Sequence, residues 1–129
     1  MTQSNYRKDL EDSRLLFRTF CDGLMYGMFF YHGENLHRVA SIEGLDDTVN
    51  GVYPIKECKP CLRSTQNLTE EEQFQLGRLI GAASYNMLKG DYSSLKELLE
   101  YVYKNHIDLF GLIPKGLAIE VTEENNPYK

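Results

Sequence analysis

An α+β fold is predicted for this chain by three observations. Its first and last thirds carry apolar residues at helical spacings, while its middle third is aromatic and punctuated by turn residues. A sharp helix start at Thr69-Glu70-Glu71-Glu72 separates the two regimes. The expected architecture is an N-terminal helix, a small antiparallel sheet or partial barrel of three to four strands, and a C-terminal helical hairpin. The 129 residues suit a single domain, 1–129, with about 1–5 and 123–129 frayed at its ends. Folding at this length hides roughly two-thirds of the unfolded chain's surface, so a core needs no staples. Hydrophobic residues at 42% and aromatics at 12% are too many for a disordered chain.

Residues 6–22 read as the first helix. Leu10, Phe17, Phe20, Cys21 and Leu24 share one side, and Arg7, Glu11, Arg14 and Arg18 the other. Gly23 is placed to end it in the left-handed conformation. Tyr26–Tyr31 reads as a strand, His32-Gly33-Glu34-Asn35 as a turn, and Leu36–Glu43 as the returning strand of a hairpin. Asn50-Gly51, between Val49 and Val52-Tyr53, is a second hairpin signal because both residues tolerate positive φ. The strand that follows, Val52–Lys56, contains Pro54 and is therefore assigned to an edge or strand end.

The helical regime returns at residue 68. Thr69 and Glu72 form a capping box, and three carboxylates in the first turn oppose the positive end of the helix dipole. Leu76, Leu79, Ile80, Ala83 and Met87 make the buried stripe, and Gly90 the stop. A further helix is expected from about Leu95 to Asn105, opened by a Ser94/Glu97 capping box, with Leu95, Leu98, Leu99 and Val102 inward. The two helices form an αα-hairpin covering the sheet. Gly116–Val121 is read as a late strand or an extended segment on the core.

No recognisable chemistry assembles from these residues, and no catalytic or cofactor-binding residue is assigned. Cys58-Lys59-Pro60-Cys61 has the spacing of a redox C-x-P-C, but such a pair needs a helix N-terminus after it, and Leu62-Arg63-Ser64-Thr65 has no helical pattern. A metal site could draw only on Cys21, Cys58, Cys61 and a histidine such as His106, with one close ligand pair where structural zinc prefers two. His106-Ile107-Asp108 has no nucleophile elbow near it, and His106 is read as a helix C-terminal residue favoured by the dipole. Gly77-Arg78-Leu79-Ile80-Gly81 is a G-x-x-x-G suited to close helix packing. Phosphate-cradling glycine motifs are absent. Tyr26, Phe29, Phe30, Tyr31 and Tyr53 could stack bases but read more simply as core. The net charge of −5 argues against sequence-independent nucleic-acid binding. With an unpaired count of three cysteines, no apolar leader and no membrane-length apolar run, a cytoplasmic location with free thiols is expected.

Three segments resemble a known family. Glu57-Cys58-Lys59-Pro60-Cys61-Leu62-Arg63-Ser64, leading to Leu68-Thr69-Glu70-Glu71-Glu72, resembles a K-P-Y-L-R-P-x-S-S-M-T-E-E-E signature. Tyr101–Glu120 is similar to a W-L-N-x-H-H-x-D-Y-R-G-L-I-x-K-G-L-A-L-E ending, and Leu16–Gly27 to an L-x-x-L-C-x-x-L-P-Y-G opening. These belong to small proteins encoded by phages and prophages of gut Bacteroides, a family without an assigned activity, so no catalytic residue carries over. Cys61 stands where that family has Tyr. Ser64-Thr65 and Gln66-Asn67 replace its Pro and Ser-Ser. The resemblance implies a phage-related accessory protein.

The favoured function is therefore a non-enzymatic protein-binding module acting on a host or phage protein, with no cofactor. One alternative is a nucleic-acid-associated module built on the small sheet. Another is an enzyme assembled from scattered residues such as His32, His37, Asp46, Asp47, His106 and Asp108.

Overall fold

Burial begins only halfway along the first helix. A computed structural model of the protein describes residues 3–44 and 47–128, and of residues 3–6 the backbone alone. Helix α1 (Gln3–Gly23) exposes residues 7–11 and buries Leu16, Thr19 and Phe20. Phe20 holds the central place that the spacing assigns it, whereas Leu10 is 39% exposed and Leu16 takes its role. The buried Thr19 hydroxyl donates to the Leu15 carbonyl at 2.8 Å, which satisfies it within the helix. Gly23 is not left-handed (φ −80°). Its constraint is space, since a Cβ there would lie 2.6 Å from Met28 Sδ. The left-handed glycine is Gly27 (φ 68°), after a 3-10 turn at Leu24–Tyr26.

The β-layer divides into two small sheets. Strands β1 (Phe29–His32) and β2 (Asn35–Arg38) form the expected hairpin, with Phe30 opposite His37 and His32 opposite Asn35. The chain then bends into β3 (Ile42–Glu43), β4 (Thr48–Val49) and β5 (Tyr53–Pro54), a separate antiparallel sheet in which Pro54 lies on an edge strand. Asn50 (φ 58°) and Gly51 (φ 72°) occupy the left-handed turn that their pairing predicts. Asn50 also clips the bend. Its Oδ1 accepts from the Ala40 and Ser41 amides at 2.7 and 3.2 Å, and its Nδ2 donates to the Arg38 carbonyl at 3.0 Å.

After another 3-10 turn, β6 (Cys58–Leu62) returns to the first sheet, whose order is β2-β1-β6-β7. Strand β7 (Ile119–Glu120) is the late strand and pairs with β6 in parallel. The Cys58–Cys61 segment is thus an interior strand rather than the approach to a loop.

Helix α2 (Glu70–Leu88) starts with both halves of its capping box in place: Glu72 N–H donates to Thr69 Oγ1, and Thr69 N–H to Glu72 Oε1, each at 3.1 Å. It ends in a Schellman motif. Asp91 N–H reaches the Asn86 carbonyl at 2.9 Å and Gly90 N–H the Met87 carbonyl at 3.0 Å, with Gly90 left-handed (φ 83°). Helix α3 (Ser93–Lys104) lacks the expected Ser94/Glu97 box. Asp91 Oδ1 instead accepts from the Ser93 amide (3.0 Å) and hydroxyl (2.8 Å), while Ser94 takes a hydrogen bond from Asn86.

Leu76, Leu79 and Ala83 of α2 pack with Leu98 and Val102 of α3 and with Leu68 and Ile107 in a cluster of their own. Ile80 and Met87 sit at its exposed margin. The sheets are covered by α1 instead: Leu16 and Phe20 join Met28, Phe30, Val49, Ile55 and Leu112. The helical hairpin stands beside the β-layer, not over it. Among the described residues no helix is long and apolar enough to cross a membrane.

Fraying was expected from residue 123, yet the described chain is tied down through Tyr128. The tyrosine hydroxyl accepts from Phe29 N–H at 3.0 Å and donates to the Cys61 carbonyl at 2.8 Å. Its ring meets Phe29 edge-on at 5.5 Å and stacks on His106 at 3.6 Å. The β1–β6 ladder runs from His32–Cys58 to Phe30–Pro60, and the hydroxyl fills the next rung. Phe29 N–H and Cys61 C=O both face this gap, so the adjoining Phe30–Pro60 pair turns its backbone groups outward. Pro60 therefore leaves no broken bond to β1.

Replacing Tyr128 by Phe keeps the ring contacts but strands a buried amide and a buried carbonyl. A loss of about 1–3 kcal/mol is expected, seen as a lower urea midpoint with unchanged slope. An unmoved midpoint would contradict the bridging role.

Candidate functional site

The thiols and imidazoles singled out by the sequence do not meet. Cys58 and Cys61 are each about 1% exposed, and all three cysteines are free. Cys58 packs in the α1-side core and donates its S–H to the Pro54 carbonyl at 3.3 Å. Burial, with Glu57 adding to it, pushes the Cys58 thiol up to about 11, and burial alone pushes Cys61 up to about 12. Cys21 is raised as well, by burial and by Asp22. A nucleophilic or metal-ligating sulfur must be a thiolate, and this environment opposes that form. Among the described residues no three His, Cys, Asp or Glu side chains gather in metal-holding geometry, and Cys21, Cys58, Cys61 and His106 are not brought together in such a group.

The polar residues separate into distinct places. His32 and His37 flank the Tyr53 ring, with centroids 4.8 and 4.6 Å away, and His32 Nε2 lies 3.6 Å from Glu57 Oε1. Asp47 (φ 50°) lines a cleft of about 670 Å³ with Arg14, Phe17 and Lys56, between α1 and β5. Asp46 lies outside the described residues. Asp108 lines a different hollow, of about 310 Å³, and its carboxylate is used internally: it accepts from the Leu112 and Ile113 amides at 2.8 and 2.9 Å. It shapes the turn after α3.

His106 is not the cationic helix end that its position suggested. It is left-handed (φ 57°), half-buried against Tyr128, and held neutral down to about pH 4 by desolvation first and by Arg63 second. Nearby, the Arg63 guanidinium grips Glu72 with two hydrogen bonds of 2.7 Å. Those bonds, helped by the Thr69 amide and opposed by burial, bring the Glu72 carboxyl down to about 2.

The aromatic block is not an open platform either. Phe30 is fully buried between Phe20, His37 and Tyr53, and Phe29 is engaged by Tyr128.

What does stand open is the outer side of α2. Phe74, Gly77, Gly81, Tyr85 and Leu88 follow one another at spacings of three and four, opposite Leu76, Leu79 and Ala83. Phe74 is 73% exposed, Tyr85 59% and Leu88 88%. A Cβ added at Gly77 or Gly81 would meet nothing within 4 Å, so the G-x-x-x-G is not used to pack α3. Lys89 Nζ lies 4.4 Å from the Tyr85 ring centroid at the end of the stripe. The sequence reading passed over Phe74, Tyr85 and Leu88 because one apolar stripe already accounted for burial. The signal was present: α2 has a second apolar line about half a turn from the first.

Comparison with known protein families, curated proteins and solved structures finds no match to this chain.

The two shifted groups of the Arg63 region set an acid dependence. The unfolded chain protonates His106 near 6.5 and the folded one only near 4. Stability is therefore full above pH 6.5 and falls by up to about 3 kcal/mol on the way to pH 4. Glu72, depressed from 4.5 to about 2, contributes above pH 4.5 and loses its contribution as the pH falls toward 2. Urea midpoints measured against pH should show both phases. His106→Asn, which tolerates the left-handed backbone, should abolish the upper one, and Glu72→Gln the lower.

Proposed function

We propose that the protein is a non-enzymatic protein-binding module whose docking surface is the outward face of α2. The observation that carries this reading is the solvent-facing line of Phe74, Tyr85 and Leu88 astride Gly77 and Gly81. Large apolar side chains aligned on one exposed helix face are the usual anchors of helix recognition, read at spacings of three, four and seven. Glycines between them let another helix approach closely. The resemblance to phage-encoded proteins gives the class of partner, a host or phage protein met in the cytoplasm. Chemistry has less support, because the candidate acids, bases and thiols are separated, internally bonded or held in their unreactive forms. Nucleic-acid binding has less support too, with Phe30 buried, Phe29 engaged by Tyr128 and a net charge of −5.

The test compares capture from host lysate by the native chain and by a Phe74→Ser/Leu88→Ser variant. Both side chains are mostly in solvent, so folding should be unaffected, as circular dichroism would check. Partners retained by the native chain and reduced at least about tenfold with the variant are expected, as for loss of two anchors. Equal recovery by both proteins, or no reproducible partner, would remove the reading.

A further inference from the structure

Resting on that protein-binding reading, we infer that the outward face of α2 pairs with its own copy, two chains crossing antiparallel at Gly77 and Gly81. The face is self-complementary in that orientation. A two-fold axis between Leu79 and Ile80 sets Phe74 of one chain opposite Tyr85 of the second copy, and places Leu88 beside the same ring. Each aromatic thus gains an apolar neighbour from the other chain, at a crossing where neither Gly77 nor Gly81 has a Cβ to hold the backbones apart.

Charge selects the orientation. Glu71 and Lys89 are eighteen residues apart, about five turns of helix, and so stand on the same flank of α2. Antiparallel pairing brings each Glu71 to the Lys89 of the second copy, giving two ion pairs. A parallel pair would put the same flank of the two copies on opposite sides of the contact, so neither Glu71 nor Lys89 would reach the other's copy. The helix dipoles also align favourably only in the antiparallel arrangement. A partner helix of unrelated sequence has no need of this internal order. Arg78 stands on the same flank near the axis and meets its copy there. It is exposed, with its Nε donating to Gln75 Oε1 at 3.3 Å, and is the one like-charged contact of the arrangement.

Sedimentation equilibrium of the full chain, from micromolar to submillimolar concentration, tests this. The mass should rise with concentration toward twice that of the chain. Gly81→Leu should remain monomeric, its fold intact because the position is open and leucine favours helix. Glu71→Lys and Lys89→Glu should each weaken association several-fold, and the double exchange should restore it, which only like-with-like antiparallel pairing produces. Arg78→Gln should tighten it.

A chain that stays monomeric throughout overturns the inference, as does Gly81→Leu dimerising like the native protein or a double exchange that fails to rescue. If the chain is monomeric but loses captured partners on Phe74→Ser/Leu88→Ser, self-pairing fails and the protein-binding reading survives. If it dimerises as described and captures nothing else, the pairing stands and the separate host partner is removed.

Discussion

The grip of Arg63 on Glu72 ties the hydrophobic cluster of the helical hairpin to the one between α1 and the sheets. Arg63 follows the last residue of β6, and Glu72 sits in the first turn of α2. Their paired 2.7 Å hydrogen bonds fix the angle at which the helical hairpin leaves the sheet. The Arg63 backbone donates to the His106 carbonyl at 2.7 Å and accepts from Asp108 N–H at 2.9 Å, so the exit of α3 is held at the same point. With the two side chains only 28% and 19% exposed, the pair is shielded enough for its bidentate geometry to matter.

Around that junction the polar groups serve the backbone. Asp108 closes the turn after α3, Asn50 clips the bend between the sheets, and Tyr128 completes the β1–β6 ladder. Each satisfies buried or bent main chain that regular hydrogen bonding leaves open. A carboxylate with two amide partners, or a thiol deep in a strand, has little freedom to act on a substrate.

Helix α2 is the exception to this economy. One side of it builds the hairpin core, while the opposite side keeps three large apolar residues and two glycines in water. Phe74 and Leu88 lie mostly in solvent, and the capping box and Schellman motif already hold the helix at both ends. Phe74, Tyr85 and Leu88 are aligned on one helix face as an intermolecular contact would use them.

The α+β class, the approximate extents of α1, α2 and α3, the first hairpin, the Asn50-Gly51 turn, the Thr69 capping box and the edge position of Pro54 were legible in the sequence. All depend on neighbours close along the chain: side-chain period, cap chemistry, or a φ value that few residues accept. What only the tertiary structure decided is long-range. That includes α1 rather than the hairpin facing the sheets, β7 lying parallel to β6, Tyr128 entering a rung between Phe29 and Cys61, and Gly23 yielding to Met28. The outward apolar line of α2 was written in the sequence, but the choice of which line is buried was not. That choice belongs to α3, because two apolar faces on one helix are equivalent until a partner covers one of them.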